Sequence, residues 1–458
     1  MPDRLIEKAL GARARFVDLR YCESDHTRVE VRGSEVSSSV AGAEVGVSVR
    51  ALVDGAWGFA STNRVGRRDL DGALDAAVGM AHSLSAAAGK DIALAPVKAA
   101  KARRDILPVK DPGSVDIRDK VRMASSMETA ARETKGVSSA TVTYTDNTVR
   151  TLYLSTEGAE VEFSITRCLF QVEVMAREGS RAIGYRTRVG GTGGFELFDR
   201  TDPVKKAAAA GRAASRILTA ERPPRGRMTV VADPELAGVF AHEALGHAAE
   251  SDLVLSGDSI LKGRTGRRIG AEGVSIVDDP PPKGGFGSFP YDDEGVRARR
   301  KYLVRDGMLE EFITSRETAG ELGVEANGGA RAESFDTRPL VRMSNTMILP
   351  GDHGKDEIIE GVGKGILAMG TRGGQVDTAK GRFQFNAQEA FLIEKGEVTR
   401  PLRDVSLSGD TLKVLRNIDA LGKTMKFGDP GFCGKGQMVP VGDGGPFVRI
   451  KRVVVGGG

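Results

Sequence analysis

The stretch Ala241 to Asp252 reads AHEALGHAAESD and places His242, Glu243 and His247 within six residues. The whole chain holds five histidines, so two in one window concentrate imidazole locally. Two imidazoles can hold a divalent metal, and a carboxylate beside them can take a proton from water activated there. The histidines are five positions apart. At about 100° per residue, a straight α-helix would splay their rings by about 140°, so sharing one ion demands a local correction. A π-bulge supplies the extra residue, and Gly246 lowers the resistance to it. The competing reading is two surface histidines on an amphipathic helix.

The preceding residues say how such a set would be held. Met228 to Ala232 is short and apolar and reads as a buried strand. Asp233-Pro234-Glu235 reads as a helix start: a capping carboxylate, a proline at the first helical position, and an acid at the positive end of the dipole. Leu236, Val239, Phe240 and Leu245 follow at roughly helical spacing.

A third metal ligand has several candidates. Cys433 lies in Gly431-Phe432-Cys433-Gly434, where glycines let other groups approach the thiol. Glu250 and Asp252 are its rivals, as ligands or as partners of an imidazole N–H. Cys22 and Cys168 lie in or beside strand-like runs and read as small buried apolar residues. His26, His82 and His353 have no partners by sequence.

Other motifs fail. No GxSxG is present. Gly422-Lys423-Thr424 ends like a Walker motif, but Asn417 occupies the required glycine position. Gly361-Val362-Gly363-Lys364-Gly365 follows DEIIE and reads as a helix end with glycine in the left-handed conformation. Arg297, Arg299, Arg300, Lys301 and Arg305 read as a solvated, charged strand edge.

HEALGHAAESD resembles the signature of the TldD/PmbA family, specifically its metal-carrying TldD-like branch. Similar segments recur in order: YDDEG (Tyr291 to Gly295), RMSNTMILPG (Arg342 to Gly351), the run from Gly373 to Gly409, and GFCGKGQ (Gly431 to Gln437). The resemblance covers most of the chain. It implies a cytoplasmic zinc metallopeptidase acting on unfolded or extended peptides. It further implies one Zn2+ held by His242, His247 and Cys433, with Glu243 as the catalytic carboxylate. The implied assembly is a heterodimer with a metal-free PmbA-like (TldE) chain, or a homodimer in its place. Two alternatives come from other classes: a regulatory protein of the gyrase-modulator type, and a metal hydrolase acting on a small molecule.

Composition sets the frame. A chain of 458 residues suggests more than one domain, and 59 glycines without a collagen period point to many tight turns. Net charge is +4 from 66 basic and 62 acidic residues, too balanced to argue for nucleic acid. Three widely spaced cysteines fit a reducing compartment, and no stretch approaches the ~20 apolar residues of a membrane span.

The fold class expected is α+β. Residues 1 to 220 read as an N-terminal domain with two similar helix–strands–helix passes, 1–90 and 114–220. In it, helices are expected at 3–15, 67–88, 115–134 and 203–219, with Asp91 to Gly113 as a connection. Residues 227 to 458 read as a mostly antiparallel, barrel-like domain carrying the metal helix, after a polar, Pro-rich boundary at Glu221 to Gly226. Asp306-Gly307 and Lys395-Gly396 read as hairpin turns. Lys262 to Pro290 lacks periodicity and reads as a long loop, a candidate lid, in which Arg264, Arg267 and Arg268 could meet a peptide carboxylate.

Overall fold

The computed structural model describes residues 8–9, 14–86, 91–281 and 284–457. The helix expected over residues 3 to 15 lies largely outside them.

In the first half, seven strands form one sheet: β1 (Phe16–Arg32), β2 (Glu35–Val53), β3 (Ala56–Thr62), β4 (Lys101–Ile106), β5 (Val137–Ser155), β6 (Glu160–Glu178) and β7 (Arg181–Thr192). Their order is β3-β2-β1-β5-β6-β4, and β7 pairs with the remainder of β6. Helix α1 (Arg67–Ser85) follows β3, α2 (Ile117–Arg132) precedes β5, and α3 (Pro203–Leu218) follows β7. Each pass therefore has its strands and closing helix, but antiparallel pairing of β1 with β5 fuses the two into a single sheet. The alternation in ATVTYT explains β5: Ala140, Val142 and Tyr144 are buried on one face while the threonines between them are partly exposed. The 91–113 connection carries an unexpected strand. β4 reads KARRDI, too polar to signal a strand, and is fixed by parallel pairing with β6 at the sheet edge.

In the second half, β8 (Gly226–Ala232), β9 (Lys364–Asp377), β10 (Arg382–Glu394), β11 (Val405–Asp410) and β12 (Val448–Gly457) close a five-stranded barrel in the order β9-β8-β12-β11-β10-β9. All pairings are antiparallel except β8 with β9. Val230, Ala232, Phe383, Phe385, Leu407 and Val453 belong to its buried core. A second sheet packs beside it, with Ile276–Asp278, Asn345–Ile348 and Met438–Gly445 as successive neighbours and Gly431–Gly434 on the last strand. Both expected hairpin turns form: Asp306 and Gly307 have φ of 49° and 76°, Lys395 and Gly396 of 52° and 82°. Positive φ at two successive positions is the primed turn that matches strand twist.

Three expectations need correction. Lys262 to Pro290 is no lid among its described residues. Ile269, Val274, Ile276, Val277 and Asp278 are buried within 1%, because Ile276–Asp278 is an interior strand between two others. Arg264 and Arg268 donate to the backbone carbonyls of Ile260 and Asp306. The basic cluster is solvated as expected at Arg297, Arg299, Arg300 and Arg305, but the strand Lys301–Arg305 lies between two others rather than at an edge, and Lys301 is the exception. Lys301 is fully buried against Asp278 at 3.0 Å, Arg300 pairs with Asp279 at 2.5 Å, and Arg299 with Glu311 at 2.7 Å. Gly361 ends its helix with φ of −70°, not in the left-handed region. A Cβ there would lie 2.1 Å from Arg449 Nη1, so the end of that side chain fills the space a larger residue would take.

The halves meet through buried ion pairs. Arg50 pairs with Asp18 on its own sheet and with Glu294 of the second half at 2.9 Å, and Arg20 reaches Asp293 at 3.0 Å.

Candidate metal centre

The site begins where β8 ends. Asp233 caps helix α4 (Pro234–Val239), accepting the N–H of Leu236 at 2.9 Å, with Pro234 in the first turn. A cap of this kind stabilises a helix by ~1 kcal/mol. From Phe240 to Gly246 the helix is a π-helix, and the N–H of His247 donates to the carbonyl of His242, five residues back. The wider turn sets a residue beneath its fifth neighbour and so offsets the splay of an α-helix. A 3-10 turn, His247–Ala249, follows. Gly246 itself keeps right-handed helical angles, φ −57° and ψ −50°. Its lack of a side chain serves a close approach instead: a Cβ would lie 2.1 Å from Met343 Sδ.

The structure brings His242, His247 and Cys433 together. One nitrogen from each imidazole and the thiol sulfur lie within 4.8 Å of one another. The two rings sit 5.2 Å apart, nearly perpendicular, and His247 Nε2 is 3.3 Å from Cys433 Sγ. Cys433 arrives on Gly431–Gly434, paired antiparallel with Met438–Gly445. Glu243 Oε2 lies 3.8 Å from His247 Nε2, and its side chain is 35% exposed, the most open group of the set.

Glu250 is fully buried and holds His247 Nδ1 at 2.9 Å. Lys435 pairs with Glu250 at 3.2 Å and with Asp252 at 2.8 Å, so Asp252 is engaged away from the histidines. Arg342, also fully buried, lies 3.9 Å from Glu250 and donates to the carbonyls of Cys433 and Gln437 at 2.6 and 2.7 Å. Arg342 and Lys435 were not legible as parts of the site. They fall inside RMSN and GKGQ, but nothing in those segments says which carboxylate or carbonyl they reach.

The electrostatics favour a ligating thiolate. Burial raises the Cys433 thiol, but hydrogen bonds from His242 and His247 outweigh it and bring the group down to about 5. Burial lowers His247, while the charge and hydrogen bond of Glu250 more than reverse this, leaving it raised. His242 Nδ1 is buried with no hydrogen-bond partner. Two imidazoles, a thiolate and a buried polar nitrogen without a partner fit a borderline-soft divalent cation such as zinc, with room in a tetrahedral shell for a fourth ligand. Neither Cys22 nor Cys168 joins this group. Cys168 is buried within β6, whereas Cys22 is partly exposed.

Three family models match the chain in order. PmbA/TldA metallopeptidase domain 1 matches residues 17–81, the central domain 110–220, and the C-terminal domain 225–457. The chain is 43% identical over 449 residues to a metalloprotease of Methanothermobacter thermautotrophicus, covering 97% of this chain and 96% of the other. It is 31% identical over 458 residues to a zinc metalloprotease TldD homolog of Saccharolobus solfataricus, covering 99% of each. Among solved structures, TldE from Thermococcus kodakarensis superposes with a TM-score of 0.80 at 18% identity over 99% of each chain, a likeness of fold. A Thermotoga maritima protein described as a candidate modulator of a DNA gyrase superposes with a TM-score of 0.82 at 20% identity over 99% of each.

Proposed function

Because this chain belongs to the PmbA/TldD metallopeptidase family, we propose that it is a zinc-dependent peptidase that hydrolyses unfolded or extended peptides. The observation that carries this reading is the convergence of His242, His247 and Cys433 on one point, beside the half-open carboxylate of Glu243. Those three residues would hold one Zn2+, which when bound supplies a Lewis acid and lowers the pKa of a coordinated water. Glu243 takes a proton from the attacking water and passes it to the departing amine. Its partial exposure leaves it accessible to substrate, whereas Glu250 is sealed and serves to fix the His247 ring. Gly431–Gly434 pairs on one side only among the described strands, so its free edge can take an extended peptide through backbone hydrogen bonds. Recognition of that kind favours unfolded chains over particular side chains.

The proposal includes a second chain of TldE type, or a second copy, closing over the site. The fold shared with TldE supports it, as do the exposed apolar side chains of Phe427, Phe432 and Met438 around the cysteine strand. No helix among the described residues is long and apolar enough to cross a membrane. A cytoplasmic location is part of the same reading, drawn from the three unpaired cysteines.

Metal analysis of the purified chain, alone and co-expressed with a TldE-like partner, together with cleavage of an unstructured peptide, tests the reading. Zinc near one equivalent and cleavage stopped by a chelator are expected. A folded chain that binds no zinc at this cluster, or cleavage that survives complete metal removal, would refute it.

A further inference from the structure

Between the first sheet and the second half lies a cavity of about 520 Å³, within the range of small-ligand sites. Thr145, Ile165 and Leu169 of the sheet form one side, and Phe286, Arg331 and Phe432 the other. Phe432 is the residue before Cys433, and successive side chains on a strand face opposite ways. The cavity therefore adjoins the metal centre across the width of one strand.

Most charges on its wall are neutralised locally. Asp293 pairs with Arg20 at 3.0 Å and Asp146 with Lys120 at 2.8 Å. Asp292 accepts the backbone N–H groups of Glu294, Val296 and Ala330. Three guanidiniums on the wall form no ion pair among the described residues; Arg188 spends Nε on Gln171 Oε1 and Nη1 on the carbonyl of Pro430, which leaves two to consider. Arg167 gives Nε and Nη2 to the carbonyls of Phe286 and Ser288 at 2.7 and 2.9 Å, and Arg331 gives Nη1 to the carbonyl of Met343 at 2.6 Å. Among the described residues neither forms an ion pair, and Arg331 is 94% buried by its 6% exposure. Among the described residues Arg167 Nη1 and Arg331 Nη2 make no hydrogen bond, and both side chains line the cavity. Burial lowers Arg167 to about 9 and Arg331 to about 10, and the charge of Asp293 offsets this only in part. A buried charge left unpaired is costly unless a ligand completes it, and the planar guanidinium fork matches a carboxylate.

We propose that this cavity is a carboxylate subsite, in which Arg167 and Arg331 hold a carboxylate of the peptide substrate. The assignment of a peptide as the ligand rests on the metallopeptidase reading above. The carboxylate has two sources, the free C-terminus or an acidic side chain.

The test uses four unstructured decapeptides of Gly, Ala and Ser carrying an N-terminal dansyl label, which has no carboxylate: C-terminal acid or amide, each with or without one internal Glu. Binding to the full chain is read by anisotropy, as purified and again after chelation, and cleavage is assayed separately. Peptides carrying the recognised carboxylate should bind about tenfold or more tighter than the neutral amide, the scale of a charge-assisted hydrogen bond. Arg167→Gln and Arg331→Gln should each remove most of that preference, and in cleavage should raise KM more than they lower kcat. Preference for the acid terminus assigns the subsite to the C-terminus; preference for Glu whatever the terminus assigns it to the side chain. If Arg331→Gln does not fold, Arg331→Lys and the more exposed Arg167→Gln carry the test. Equal binding of all four peptides, or a preference that survives both arginine substitutions, overturns the proposal. Because binding is read without metal, a preserved preference with no cleavage would overturn the peptidase reading alone, and intact cleavage with no preference would overturn the subsite alone.

Discussion

His247 Nδ1 stands 2.9 Å from Oε2 of Glu250, a fully buried carboxylate, and its other nitrogen faces Cys433 Sγ at 3.3 Å. The contact sets the ring's orientation and leaves Nε2 for the proposed zinc. Glu250→Gln should therefore weaken zinc binding ~10–100-fold. Glu250→Ala should still retain more zinc than Cys433→Ala, which loses a ligand outright. Zinc content measured on both folded variants decides this, and the reverse ranking would give the ligand role to the carboxylate.

Glu243→Gln keeps the size of the side chain and removes the proposed base. The variant should bind zinc as the unaltered chain does and lose ~10²–10⁴-fold in kcat. Undiminished cleavage by a fully loaded variant would assign proton transfer to another group.

The Cys433 thiol is held near about 5, against an ordinary 9.0, by hydrogen bonds from His242 and His247 that overcome its burial. A depressed pKa contributes stability that is complete above the unfolded value and is lost as pH falls through about 5. Protons compete with zinc for the same sulfur, so zinc affinity should fall on acidification too. His247 has the opposite sign, its raised value contributing below about 6.5 and failing as pH rises through the folded pKa. In the metal-free chain, thiolate absorbance should titrate near 5 and be absent in Cys433→Ala. Burial raises both Cys22 and Cys168, so neither obscures that step. A single midpoint near 9 would show that the imidazoles do not stabilise the thiolate.

Gly246→Ala puts a methyl into the space of Met343 Sδ, a side chain with 1% exposure. Overpacking of this kind costs ~1–3 kcal/mol. Urea unfolding should show that loss together with reduced zinc affinity, and Met343→Ala in the same chain should restore much of the affinity. A single variant as stable and as well loaded as the parent would mean the helix absorbs the methyl.

Lys301 and Asp278 are both fully buried, 3.0 Å apart, with Asp278 also accepting from Ser344 at 2.7 and 2.8 Å. Lys301→Met leaves a buried carboxylate without its cation and should cost ~3–5 kcal/mol of stability. A loss below ~1 kcal/mol in denaturant unfolding would show that the Ser344 donors suffice.

The sequence was informative where local chemistry decides structure. Asp233-Pro234 and the DG and KG turns act within a few residues, and each formed as read. The distortion of the metal helix was legible because the histidine spacing is incompatible with a straight α-helix. What could not be read depends on partners distant in the chain. KARRDI becomes a strand only because β6 offers an edge. Lys301 is buried only because Asp278 waits 23 positions earlier. Gly246 and Gly361 were read as sites of backbone freedom, and both prove to be gaps for a side chain from elsewhere. Cys433 came from family resemblance, since the glycines around it do not say which residue 186 positions away it meets.

The π-helix also acts as a phase adjuster between two fixed ends. Upstream, α4 is fixed by its Asp233 cap; downstream, Ala249 and Ser251 are tied to Ile313 by backbone hydrogen bonds at 2.9 and 3.0 Å. Removing one residue between Glu243 and His247 would restore the ordinary four-residue spacing and still leave two histidines on one helix face. It would also turn everything after it by about 100° and draw it back about 1.5 Å, taking Glu250 off the ring it holds. The extra residue thus keeps two rigid segments in register. A shortened motif would keep its ligands and lose their alignment.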